Sequence, residues 1–478
     1  MRIKRFSILA ALLMSVFNLC AQSVIDLDGV TTYYVSSSVG KDTNDGLSEA
    51  TPKATISSIV SKKDVRIRLK CGDVFYERMF GYRGSIIESY GKGARPVLCG
   101  FKILKNSRAW VREGDNIWSI DLSVESNFYG YLKSRSSNKA IVNNVGLIYQ
   151  IENDRVFGHL VKSKELMKEY GDFYTSDQHV FSHFEKHPFS KLYWFTQDNP
   201  QQMGEIAFSM YDPGISSMNN CVIRNIAVVG FSIHGIMNCS NCIIDNCQID
   251  LIGGAVFVRD REPWCRYGNG VEISTANVNI TVKNSLISRT YDCATTIQGN
   301  PGVKVVVKNI HFKNNRIYHC RQAFEHFIDA HKDDLGSSYE DCSFEGNICY
   351  EMGENEFSSP EARDACILSY ENAPKNIAIR NNVFFGGAYY CSYTYSKGLS
   401  DNTVYIYDDQ YINHYHGIRN FPTLYARSIS DIKAFRDKSS DNSVIKVIKR
   451  NSIKSWWIGR KILKRIKWNP TNITISNE

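Results

Sequence analysis

Between residues 221 and 406, apolar and polar positions alternate in short bursts, each with an asparagine and then a glycine-rich or polar break. V-I-R-N-I, I-T-V-K-N and A-I-R-N-N carry the two-residue period, which predicts strands with one buried face rather than helices. The phrase recurs. CVIRNIAVVG is followed 21 residues later by CIIDNCQIDLIGG, then by VNITVKNSLISRT (278–290) and VKNIHFKNNRIYHC (307–320). YEDCSFEGNICYEMG (339–353), NIAIRNNVFFGG (376–387) and LSDNTVYI (399–406) continue it. Asn225, Asn246, Asn284, Asn314, Asn347, Asn381 and Asn402 mark one place in every copy, at spacings of 21 to 38 residues.

Repeats of that length, each too small to bury its own apolar face, predict an all-β solenoid. Each coil supplies two or three strands, paired in parallel with their equivalents about 4.8 Å along the axis. Alternate side chains fill a narrow core, and the asparagines turn the corners in the left-handed conformation. Cys221, Cys242, Cys293, Cys342 and Cys349 read as small apolar fillers of that core.

The repeats, together with RYGNGVEI (266–273), resemble the right-handed parallel β-helix superfamily that includes bacterial polysaccharide lyases. YYVSSSVGKDTNDGLSEATPKATISSI (33–59) is similar to the N-terminal segment of exported members, in which a strand and a short capping helix close the solenoid. The resemblance spans most of residues 33–406. It implies the fold and a sugar-active protein, without choosing among lyase, hydrolase, epimerase and binding protein.

The expected organisation has five parts. Residues 1–21 read as a signal peptide, with Arg2, Lys4 and Arg5 ahead of an apolar run and Ala21 at the cut, so the protein is expected to be secreted or periplasmic. Residues 22–100 form the N-terminal cap and first coils. Residues 101–215 form a small β-rich insertion, with aromatic strands at NIWSIDL, GLIYQIENDRVF, GDFYTSDQHVFSHF, KLYWFTQDNP and GEIAFSM. The β-helix proper covers 216–410, and 411–478 is a C-terminal cap with a basic tail. Within that tail KVIKRNSIKSWWIGRKILKRIK (446–467) could lie as an amphipathic helix on the last coil, a membrane surface or a glycan.

Composition changes this picture little. Loss of the leader lowers the net charge from +8 by three, a mild basic bias suited to an anionic partner. The basic residues outside the tail are too scattered for nucleic acid, and a monomer is expected. Of the fourteen cysteines one falls in the leader, and the odd remainder argues against a fully paired disulfide framework.

The outward residues of a β-helix line a shallow groove, which fits an extended acidic polysaccharide. Aligning the corners sets AVFVRDRE, ATTIQGN and AFEHFID on adjacent coils, with Arg259 and Gln298 in one phase and Glu325 two positions earlier on the same face. Asp292, Glu325, Arg259, Arg266 and His326 are the expected catalytic groups. Gln298, Tyr267, Arg261 and Glu371 are the expected sugar contacts. The favoured reading is β-elimination: an arginine, or Ca²⁺ held by Asp292, Glu325 and Asp329, neutralises a uronate carboxylate while His326, His331, Lys332 or Tyr267 removes a proton. A hydrolase would use Asp292 and Glu325 as acid and partner. A glycan-binding protein without turnover would use the same residues as contacts only.

Overall fold

The computed structural model describes residues 29–104, 107–122, 145–175, 191–210, 213–259, 262–299, 302–328, 335–353, 365–369, 376–387, 390–393, 400–401, 404–408 and 444–448. The leader, Arg261, Asp329, His331, Lys332, Glu371, Asn402 and residues 449–467 lie outside them.

Three long parallel sheets run the length of the solenoid, two of ten strands and one of eight. In one coil the chain passes through Ser240–Asp245 of the first sheet, Gln248–Ile252 of the second and, after an excursion, Val271–Ser274 of the third. The next coil repeats the order with Ile280–Lys283, Leu286–Thr290 and Cys293–Gly299. Successive strands pair in register, Ile223 on Ile244, Ile244 on Val282 and Val282 on Phe312. These residues are fully buried, and the same rows hold Ile249, Ile287 and Ile317 in the second sheet. Each buried Ile contributes about 2–3 kcal/mol, none of which an isolated coil could retain. The chain is therefore a right-handed parallel β-helix.

The asparagine corners form as the pattern predicts. Asn225, Asn246, Asn284, Asn314 and Asn381 all have positive φ, and the backbone N–H groups of Asn246, Asn284 and Asn314 donate to Lys283, Lys313 and Glu345 of the next coil. Asn347 departs from the column. Gly346 takes the left-handed position there, at φ 68°, and Asn347 sits one step further in. It joins a buried ladder in which Asn315 N–H donates to Asn347 Oδ1 and Asn347 N–H to Asn382 Oδ1, each at 2.9 Å. A second column at the opposite end of the first sheet, Asn220, Asn241, Asn279 and Asn309, was not singled out in the repeat. Its amides chain from Asn309 to Asn279 at 3.0 Å and from Asn279 to Asn241 at 2.7 Å.

Other expectations need correction. Among the described residues no helix caps the N-terminal end: Thr31–Val35 adds directly to Val65–Lys70, and the residues between them are turns and isolated bridges. Turn contacts hold this end together, with Asp42 accepting from the backbone N–H groups of Ala54 and Thr55 and Asp45 from that of Leu47. The second sheet does not end at 410, because Val444–Ile448 pairs in parallel with Val404–Asp408, which makes the start of 446–467 strand rather than helix.

The insertion leaves the second sheet after Cys99 and returns before Ile215, so coils on either side stack directly, Ile87 on Ile223. It comprises two antiparallel four-stranded sheets. Trp110, Trp194, Phe157 and Phe208 fill the space between them, with Phe157 and Trp194 edge to face at 4.9 Å. A second apolar cluster joins Leu147, Tyr149, Val156 and Ala207 to Ala227, Val229 and Leu251 on the outside of the second sheet. Arg289 fastens the same seam, donating to Asp250 of the adjoining strand and Asp154 of the insertion.

Candidate active site

The third sheet places two kinds of row along one strand. Val271, Thr295 and Phe324 stack inward, as do Ile273, Ile297 and His326. Glu272, Thr296 and Glu325 stack outward, followed by Ser274, Gln298 and Phe327. A bend at the start of each strand brings His234, Asn269, Cys293 and Gln322 alongside. Asn269 N–H donates to His234 Nδ1 at 3.2 Å, and Cys293 N–H to Asn269 Oδ1 at 3.1 Å.

Two carboxyl groups behave in opposite ways here. Glu325 is 6% exposed. Burial, and then the Asp292 carboxylate beside it, push its pKa up to about 8, so it carries a proton at neutral pH. The Cys293 sulfur lies 3.4 Å from Glu325 Oε2 and 3.7 Å from Asp292 Oδ1, so both carboxyls touch one atom. Burial and those two acids raise the Cys293 thiol well above its usual value, which keeps it neutral. Cys293 thus faces the site and not the core, because it starts its strand on the outer side of the bend. Arg321 Nη1 approaches Asp292 Oδ1 to 3.6 Å.

Glu272 is the counterpart. Burial alone would raise it, but the His234 ring and the amides of Asn269 and Gln298 hold it below the ordinary carboxylate value. All three contacts go to one oxygen: Oε2 lies 2.9 Å from His234 Nε2, 3.0 Å from Asn269 Nδ2 and 2.9 Å from Gln298 Nε2. Nδ1 of His234 accepts the backbone N–H of Asn269, which leaves Nε2 to donate to Glu272.

Asp292 and Glu325 meet at the Cys293 sulfur, while Gln298 shares their outer face and bonds to Glu272, and the Tyr267 ring lies 6.0 Å from that of His234. His326 does not join them. It is fully buried in the core, stacked on Phe324, and neither ring nitrogen finds a partner among the described residues. Alternation puts it on the opposite side of the strand from Glu325, and it cannot serve as the base. Arg266 is also turned away. Its guanidinium donates to the carbonyls of Gly254, Gly146 and Gly158, tying the insertion to the coil. Arg259 belongs to no coil strand: Val256–Arg259 and Glu262–Arg266 form an antiparallel hairpin, and the strand beside Cys293–Gly299 is Val271–Ser274. Of the calcium ligands Asp329 is not described, and a protonated Glu325 is a poor ligand for that ion. Glu272, His234, Asn269 and Arg321 were not foreseen, although Asn269 and Glu272 stand inside RYGNGVEI.

No protein-family profile matches the chain, and no curated protein matches it by sequence. Among solved structures it is similar to a glycoside hydrolase at 11% identity and a TM-score of 0.43, over 79% of this chain and 93% of that one. A structure of XylC with xylose gives 10% identity and 0.40, over 87% and 82%. The GH136 lacto-N-biosidase from Eubacterium ramulus gives 11% and 0.36, over 87% and 68%. Such values transfer neither substrate nor catalytic residues. It is the chain's own three sheets, stacked strand on strand in parallel, that show the right-handed parallel β-helix fold.

Proposed function

We propose that the third-sheet trough hydrolyses a glycosidic bond in an extended glycan, with Glu325 as general acid and Asp292 as nucleophile. The observation that carries this reading is that the buried Glu325 and Asp292 meet at one sulfur, where burial and the neighbouring acid push Glu325 up to about 8. As the bond between C1 and the glycosidic oxygen breaks, Glu325 gives its proton to the leaving oxygen and Asp292 bonds to C1. Water then adds to C1, Glu325 takes a proton from it, and Asp292 is released. Contacts of 3.4 and 3.7 Å to one shared sulfur admit both the spacing of about 5–5.5 Å of a retaining pair and the lower end of the gap of about 6.5–9.5 Å of an inverting one, and the anomeric configuration of the product decides between them. The elimination reading has less support, since His326 is in the core and Arg266 is committed to backbone carbonyls. The leader-like residues 1–21 support export, which suits a polymer too large to enter a cell.

The test is a panel of neutral and uronate polysaccharides. New reducing ends should form with retained anomeric configuration and without the ultraviolet absorbance of an unsaturated product. Glu325→Gln and Asp292→Asn should each lower kcat by about a thousandfold or more while the circular dichroism stays unchanged. An unsaturated product, or turnover indifferent to both substitutions, would overturn the assignment.

A further inference from the structure

Glu272 takes no part in the chemistry just described, yet the fold holds it with unusual care. A carboxylate only 15% exposed has three donors on one oxygen, Oε2. Its other oxygen, Oε1, accepts from no described residue, and it is not among the buried polar atoms sealed from solvent without a partner. His234, Asn269 and Gln298 hold the carboxylate through Oε2, which leaves Oε1 as an acceptor on the outward row of the third sheet. Glu325 lies one strand beyond the intervening Thr296, in the same outward row, about 10 Å away along the axis. That spacing suits one sugar ring laid between the two.

We propose that Glu272 Oε1 is a sugar-binding acceptor that takes a hydrogen bond from a ring hydroxyl, and that the trough selects a neutral sugar rather than a uronate at this subsite. The inference rests on the hydrolase reading for the direction in which the glycan lies. A hydroxyl donates to a carboxylate; a uronate carboxylate offers no donor and meets repulsion from Glu272 and Asp292 together. Among the described residues, Arg321 stands beside this row and already faces Asp292. His234 is engaged with Glu272 through Nε2 and with the Asn269 backbone through Nδ1. This departs from the acidic polysaccharide expected from the sequence, for which the mild basic bias of the whole chain was the guide.

Two measurements test it. On the best neutral oligosaccharide of the panel, Glu272→Gln keeps the shape and the three contacts but turns an acceptor toward the trough into a donor, or leaves it neutral. It should lower kcat/KM by roughly a hundredfold. Monodeoxy analogues of that substrate should include one that the native protein cleaves about a hundredfold less well and that Glu272→Gln no longer distinguishes from the parent. The second measurement is calorimetric binding of the same neutral and uronate oligosaccharides to Glu325→Gln, which does not require turnover. Neutral glycans binding more tightly than uronates, with the preference lost on adding Glu272→Gln, supports the proposal even where no hydrolysis is seen. Hydrolysis confined to uronates would sink the proposal and leave the hydrolase reading standing, and so would binding unaffected by Glu272→Gln.

Discussion

The first and third sheets each hold a buried glutamate on the outer face, and they treat it in contrary ways. On the first sheet Glu88 stands between Arg68 and Arg224 in register and close to Arg66. Burial would raise it, but the hydrogen bond and charge of Arg224, with Arg68 and Arg66 behind them, hold it below the usual range. Its Oε1 accepts from Arg68 at 3.0 Å and its Oε2 from Arg224 Nε at 2.8 Å. On the third sheet Glu325 receives a weak thiol and a Thr296 hydroxyl contact at 3.4 Å, and an acid for a neighbour. A stacked fold supplies charge partners simply by setting the next coil's residue about 4.8 Å away. Where the neighbours of an acid are Arg and Arg, the carboxylate is neutralised. Where they are Thr and Leu368, with Asp292 close by, it is not. That contrast is the one on which the proposed active site rests.

The contrast can be broken from its costly side. The folded pKa of Glu325 lies above its unfolded value near 4.5, so the unfolded chain gives up the proton first. Stability from this group is full below pH 4.5 and is lost as pH rises toward 8. Glu325→Gln removes the loss. Its urea midpoint should match the native protein near pH 4 and exceed it at pH 8.5 by the equivalent of about 2–4 kcal/mol, while activity disappears. A variant equally or less stable at pH 8.5 would mean that Glu325 ionises freely and is no proton donor.

Glu88→Gln should do the reverse. The folded pKa is depressed, so the stabilisation is present above the unfolded value and is lost as pH falls through the folded one. Because Arg224 and the other partners stay partly hydrated, the expected cost is about 2 kcal/mol at pH 7, shrinking below pH 4. Glycan turnover should be unchanged. A loss of turnover equal to that in Glu325→Gln would show that the first sheet also carries function.

How much of this was legible in the chain follows from what repeats. Coil, corner and core rows are properties of every lap, and V-I-R-N-I or I-T-V-K-N states them each time. Gln298 and Glu325 could be set on one face because CATTIQG and QAFEHFI are neighbouring laps with nothing folded between their strands and their bends. Arg259 could not be placed so. AVFVR alternates like a coil strand, but it lies in a hairpin that leaves the solenoid between Gly253 and Gly268, where a Cβ on Gly268 would come within 2.3 Å of the Gly253 Cα. That glycine pair was the available signal. Had the hairpin been recognised, VEIS would have been the strand aligned with ATTIQ, and Glu272 would have appeared in the row of Glu325. His234 and Arg321 gave no such signal, since they reach the site from the bends and their contacts join residues of different coils.

The smallest expected effect sharpens the comparison within a single strand. His326 follows Glu325 and points to the core, where burial pushes its pKa down to about 3. Here the unfolded chain binds a proton that the folded one refuses. The stabilisation is therefore present above about pH 6.5 and is lost as pH falls toward 3, the opposite slope to that of Glu325. His326→Leu fills the space beside Phe324 and Tyr339 with an apolar group of similar size and removes two buried nitrogens without partners among the described residues. The variant should gain about 1–2 kcal/mol at pH 5 beyond whatever it gains at pH 8, read from urea midpoints at the two pH values. Its kcat on the native substrate should stay within a few fold, because the strand's outward row is untouched. A rate that collapses in His326→Leu with stability intact would put the imidazole in the trough, reverse the alternation of 322–328, and turn Glu325 into the core.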